Sequence, residues 1–176
     1  MKMSQTGDEQ YRFTLTRDWG TGTGRACWIM LNPSTADGTK DDPTLKRIIK
    51  FSQSWGYGSL VVVNLYPFRT SKPAECRKLA DCEASGPDAN ENMCADRVIV
   101  WGETSRSDLV IAAWGSANWG VWHEDHIDDL IHLLSNGEGS RPLYTLVKDK
   151  PIHPLARGKH RVPDTATPVL WREGSK

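Results

Sequence analysis

Asn32 and Asn64 each stand where an apolar run gives way to a polar loop, His153 lies within the polar loop that follows another such run, and their side chains suit the binding of a small polar ligand. An amide offers an acceptor oxygen and two N–H donors on one flat group, and even a neutral imidazole presents one N–H. Asn32 follows ACWIML and opens NPST, with Pro33 and Ser34 next to it. Asn64 follows SLVVV and opens NLYPFR, while His153 and Pro154 lie in KDKPIHPL after RPLYTLV. Trp114 and Gly115 close a further apolar run, DLVIAAWG. An amide cannot act as a general base in the way a carboxylate can, so a reaction that needs one would draw on Asp37 or Asp42 near Asn32. Plainer roles exist for each residue. Asn at a strand end commonly satisfies backbone groups, Asn-Pro is a turn former, and Asp42 is placed to cap a helix.

Other reactive types are present without a pattern that selects a chemistry. Asp37, Asp41 and Asp42 do not follow a known hard-cation loop. His123 and His126 of HEDH can share a helix face but lack HExxH spacing and an evident third ligand, so a solvated face is the expectation. Cys27, Cys76, Cys82 and Cys94 form no CxxC pair, which argues against an iron–sulfur cluster. The Gly-rich TGTG opens no helix, which argues against a phosphate-binding loop and triphosphate hydrolysis. No metal and no cofactor is expected.

The elements that must position these residues read as an alternation. YRFTLT alternates apolar and polar residues as a half-exposed strand does, and with TGTG as a turn it suggests an opening hairpin. ACWIMLN, SLVVVNLY, DLVIAAWG and RPLYTLV read as four further strands, the first three as buried as central strands are. Asp42 and Pro43 start a helix with Leu45, Ile48 and Ile49 on one face and Gly56 beyond its end. Further helices are expected through AECRKLA, through the NENMCADRVIV region and through VWHEDHIDDLIHLLSNG, the last stopped by Gly137. Strands alternating with helices imply an α/β fold, three layers α/β/α with a mostly parallel central sheet. In such sheets ligands bind beyond the carboxyl ends of the strands. The strands ending in Asn32, Asn64 and Trp114 are therefore expected side by side, with the His153 loop folded over them.

The chain has 176 residues, 38% of them hydrophobic, and no linker that would divide it, so residues 1–176 read as one domain. A chain of this size buries about 70% of its unfolded surface and needs no disulfide or structural metal. With no long apolar span and no signal-like leader, a cytoplasmic monomer away from membranes is the expectation. The formal net charge of +0 excludes bulk coating of nucleic acid. Local charge is less even, and Lys148, Arg157 and Lys159 lie in a basic stretch that can meet phosphates. Of the eight tryptophans, most are expected in the core, with one or two available to stack on a base.

Taken together, IMLNPSTAD, VVVNLYPFR, IAAWG and PIHPL resemble a family of bacterial and phage domains of unknown function marked by MLNPSTAD. The order of these motifs also resembles, more remotely, the uracil-DNA glycosylase superfamily. There a strand ends in a motif such as GINPG and a later loop carries His-Pro. Here MLNPS shares only Asn-Pro with the first, and IHPLA lacks the second proline of the HPSPLS form.

The resemblance implies a uracil-DNA glycosylase-like fold and a pocket for a pyrimidine base in DNA or for a modified nucleotide. It assigns Asn64 to the edge of the base, His153 to a donor beside the charge developing on the departing base, and Asn32 to a water. Pro33, Ser34, Trp114, Gly115 and Pro154 would complete the binding loops. The implied activity is that of an N-glycosidase, a hydrolase acting on the bond from sugar to base. The alternative is a noncatalytic nucleobase- or nucleotide-binding module, because the Asn32 position lacks an acid.

Overall fold

The computed structural model describes residues 1–84, 89–116, 119–137 and 139–174, with the backbone alone for 83–84 and 89–96. The side chain of Cys94 is thus outside the described residues. A seven-stranded sheet is built from β1 (Lys2–Gly7), β2 (Arg12–Asp18), β3 (Arg25–Met30), β4 (Ser59–Asn64), β5 (Leu109–Ala112), β6 (Leu143–Thr145) and β7 (Val169–Arg172). Its order is β1-β2-β4-β3-β5-β6-β7. Between the strands run α1 (Pro43–Ser54), α2 (Pro73–Ala84), α3 (Ala89–Ser105) and α4 (Val121–Asn136).

The expectation of an α/β fold holds, but the sheet is mixed rather than mostly parallel. β4, β3, β5 and β6 form a parallel centre. β1, β2 and β7 join it antiparallel. The physical reason is chain length between strands. Parallel neighbours need a crossover, and α1, α3 and α4 supply them, whereas β1 and β2 are separated by a short turn. The opening hairpin is accordingly β1 with β2, and TGTG does not fold β2 back on β3. β2 instead pairs with β4, with Leu15 opposite Val62.

Alternation along the central strands divides the core into two faces. Ala26, Trp28 and Met30 of β3 join Leu60 and Val62 of β4 under Leu45, Ile48 and Phe51 of α1. Cys27, Ile29, Val61 and Val63 turn the other way, toward Cys76 and Ala80 of α2, Val100 of α3 and Leu130 and Leu134 of α4. The helices therefore lie on both sides of the sheet. Trp28 is fully buried, stacks on Trp55 with ring centroids 5.6 Å apart, and donates its indole N–H to Ser52 Oγ at 3.0 Å. A ring of this size with its polar atom satisfied anchors α1 to the sheet, and its loss costs about 3–5 kcal/mol.

α1 begins as its sequence requires. Asp42 Oδ1 accepts from the backbone N–H of Leu45 at 2.8 Å, with Pro43 in the first turn. On α4 the expected solvated histidine face is a correction: His123 and His126 share a face, but both are buried. They pack on Tyr66, whose hydroxyl shares a 2.6 Å hydrogen bond with His123 Nδ1. The face turns inward because imidazole is flat and mostly carbon, and Tyr66, Trp119 and Trp122 give it rings to stack on. Among the described residues no helix is long and apolar enough to cross a membrane.

Candidate functional site

The carboxyl ends of β4, β3 and β5 lie side by side, as expected of the strands leading to Asn64, Asn32 and Trp114. Beyond β3 and β4 the pairing continues into the loops, with Leu65 N–H donating to Met30 C=O and Tyr66 N–H to Leu31 C=O. The His153 loop crosses this edge. Gly115 N–H donates to Pro151 C=O at 2.6 Å, and Gly115 has φ near +91°, a backbone conformation that favours glycine. A side chain there would also lie against His153 Cβ at 3.6 Å. That is ordinary van der Waals contact, so it is the positive φ rather than lack of room that calls for glycine where the His153 loop meets the end of β5.

A pocket opens on the α1 face of this edge. Its polar lining is Arg12, Asn32, Ser34, Asp42, Thr44, Asn64 and His153, and its walls are Leu15, Met30, Ala36, Leu45, Ile48 and Val62. Asn32, Ser34, Asp42, Asn64 and His153, singled out from the sequence, thus come together from separate parts of the chain. Pro33, Asp37, Trp114, Gly115 and Pro154 are not among the lining residues. Trp114 is buried on the opposite face of the sheet, edge-on to Trp171. Among the described residues no Phe, Tyr or Trp lines the pocket, so its flat contacts come from His153 and the Met30 thioether.

Each polar group has a definable state. Asn32 Nδ2 lies 2.9, 3.2 and 2.7 Å from the carbonyls of Pro33, Phe68 and Thr70. Three acceptors fix the orientation of the amide: its nitrogen staples NPST to the loop after Asn64, which leaves Oδ1 as its free acceptor. His153 Nδ1 accepts from the Leu155 N–H at 3.1 Å, so in the neutral ring the proton sits on Nε2 and is available to donate. Burial holds the His153 pKa below its ordinary value, with Asp42 pulling it back up. Asp37 is committed elsewhere. Its carboxylate accepts from Thr39 N–H and Oγ1 and from Lys40 N–H, which lower its pKa and consume its basicity in a turn.

Asn64 is different. It is 5% exposed, and neither its Nδ2 nor its Oδ1 has a hydrogen-bond partner among the described residues. A buried amide that satisfies neighbouring backbone would show those bonds, and this one shows none.

Arg12 escaped the sequence reading. In YRFTLT it alternates like an outward-facing residue, yet it is 4% exposed and lines the pocket. It donates through Nη1 to Ala36 C=O, its Nε has no partner, and it forms no ion pair among the described residues. Burial brings its pKa down to about 10, with Arg69 and Arg17 adding to the shift and Asp42 and Asp37 opposing it, so it remains a cation at neutral pH. Arg17, by contrast, is fully spent: its Nε pairs with Asp41 Oδ1 at 2.8 Å and its Nη2 donates to Asp37 C=O, tying the 37–41 loop to β2.

Lys148, Arg157 and Lys159 are exposed on the segment that carries His153, with no ion pair among the described residues. A second, wider cleft runs along α1, lined by Pro43, Lys46, Arg47, Lys50, Phe51, Ser54 and Asp164. Arg47 is held by Val162 C=O and Asp164, which leaves Lys46 and Lys50 as the cleft's uncommitted cations. Their spacing on α1, one turn apart, is the signal in the sequence that could have found this groove. Among the described residues there is no cluster of three metal-ligating side chains.

No curated protein and no solved structure matches the chain. The family described as "Protein of unknown function (DUF1643)" matches residues 12–155, a stretch that includes every lining residue of the pocket, and the chain belongs to that family.

Proposed function

We propose that the pocket holds a pyrimidine-type base, belonging to DNA or to a modified nucleotide, and that Asn64 reads its edge. The observation that carries this reading is the unpartnered Asn64 amide, buried and set in the lining of a pocket. A polar group in that position costs about 1–3 kcal/mol unless a ligand completes it. An edge that alternates N–H and C=O, as uracil and thymine present, matches one amide with two bonds. The remoter resemblance of NPST, Asn64 and His-Pro to the uracil-DNA glycosylase superfamily supports the same assignment.

The chemistry this arrangement serves is hydrolysis of the bond from sugar to base. Water adds to the sugar carbon, the carbon–nitrogen bond breaks, and its electron pair leaves with the base. His153 Nε2–H donates to the base carbonyl where that charge accumulates, Asn32 Oδ1 orients the water, and Asp42 takes its proton. Lys148, Arg157 and Lys159, together with Lys46 and Lys50, supply cations for the phosphates on either side. A noncatalytic base-binding module is the second reading, favoured by the engagement of one Asp42 oxygen as a helix cap and of the Asn32 nitrogen as a staple.

Incubation with oligonucleotides containing uracil, mismatched thymine or hypermodified pyrimidines, followed by alkali, separates the two. Strand breaks at the modified position support excision. Binding without breaks supports the module, and neither outcome with any pyrimidine sinks the proposal.

A further inference from the structure

Arg12 and Asn64 are neighbours in two cavities, not one. Besides the main pocket they both line a small recess whose other walls are Phe13, Pro67, Ile99 and Val100. The floor of the site therefore consists of an unsatisfied amide, an unpaired guanidinium and an apolar recess. Whatever reaches Asn64 also reaches Arg12, and it arrives with its leading edge, since both residues are more than nine-tenths buried.

We infer that the base bound here carries a negatively charged ring substituent, a carboxylate, on the edge that faces Arg12. This rests on the proposal that the pocket takes a pyrimidine. Asp42 and Asp37 act on Arg12 only from a distance, with no ion pair among the described residues, and a neutral carbonyl would leave it so, whereas a carboxylate meets a guanidinium in plane and through two hydrogen bonds. Only one of the five N–H groups of Arg12 has a described acceptor, in Ala36 C=O, and its Nε is buried without a partner. The phosphate of a nucleotide does not fill this role, because in a base inserted edge-first it trails toward solvent. The substrate class is thus an acidic, modified pyrimidine rather than plain uracil.

The test needs no variant to begin. Calorimetric titration of the wild-type protein with 5-carboxyuracil, 6-carboxyuracil, uracil, benzoate and inorganic phosphate compares charge and ring separately. One of the carboxyuracils should bind about tenfold or more tightly than uracil, and better than benzoate or phosphate. Arg12→Gln should erase that preference, so that the carboxyuracils and uracil bind alike, and Arg12→Lys, which keeps the charge without the fork, should restore part of it. Equal affinity for uracil and both carboxyuracils overturns the inference and leaves the base-reading proposal standing. Benzoate matching the better carboxyuracil, with loss of both in Arg12→Gln, keeps an anion site and overturns the base reading. Failure of every ring to bind overturns both.

Discussion

Neither polar atom of the Asn64 amide has a partner among the described residues, and this has a consequence for stability that a structural asparagine would not share. Replacing it with leucine, an apolar residue of broadly similar size, removes a desolvated amide without breaking a bond. Asn64→Leu should therefore be neutral or raise unfolding free energy by up to about 1–3 kcal/mol, while abolishing pyrimidine binding. Thermal unfolding beside a binding titration checks it, and destabilisation with binding intact would make Asn64 a strand-end fastener. The residues of the site were unequally legible. Asn32 and Asn64 stand out because each ends an apolar run, and His153 because of the His-Pro motif that the resemblance carries. Arg12 does not, since its burial is imposed by the Pro67 carbonyl that holds its backbone N–H and by the Ala36 loop over it, both distant in sequence.

At the scale of elements, α4 carries a titration built into its packing. His126 Nδ1 accepts from Arg97 and its Nε2–H donates to Leu65 C=O, an arrangement open only to the neutral ring. Burial, helped by the charge of Arg97, lowers its pKa from 6.5 to about 4. The unfolded chain binds the proton more readily, so the contribution of this group is complete above about pH 6.5 and is lost as pH falls toward 4. About 3 kcal/mol should disappear across that window. Denaturant unfolding at a series of pH values should show the slope, and His126→Gln should flatten it; an unchanged slope would assign the acid sensitivity to carboxylates. The sequence showed α4 but not its orientation. HEDH is polar by composition, and its inner face becomes apolar through the rings of Tyr66, Trp119 and Trp122 that stack on it, the first from a distant part of the chain. The edges β1 and β7 were hidden for the opposite reason: KMSQTG is polar because an edge strand is largely exposed, and Val169–Arg172 is a short strand with alternate residues exposed.

For the molecule as a whole, a formal net charge of +0 means that affinity for nucleic acid must come from local cations. Replacing Lys148, Arg157 and Lys159 together by alanine should reduce the slope of log affinity against log salt by about one unit for each phosphate that then goes unneutralised, with little change in base preference. The pair Lys46→Ala and Lys50→Ala, measured alongside, reports whether the groove on α1 shares the strand. An unaltered slope in both would mean that the pocket takes a free base or nucleotide. The architecture was largely readable because its central strands are continuous apolar runs. The mixed sheet was not, since strand direction depends on which segments meet rather than on what each contains. The pocket itself follows from the parallel centre: β3, β4 and β5 deliver their polar ends to one edge, and the Gly115 N–H holds the His153 loop there through Pro151 C=O.

The central claim is that Asn64 reads the edge of a pyrimidine, and Asn64→Asp tests it most directly, because the side chain keeps its size while both amide donors are lost. Titration of the wild-type and Asn64→Asp proteins with an oligonucleotide carrying a uracil-type base, and with a matched one carrying a cytosine-type base, reads out the edge. Affinity for the uracil type should fall by about tenfold or more, equivalent to about 1–3 kcal/mol, and the cytosine type, which offers an amino donor to the new carboxylate, should lose less. Equal losses for both bases, or none, would contradict the assignment.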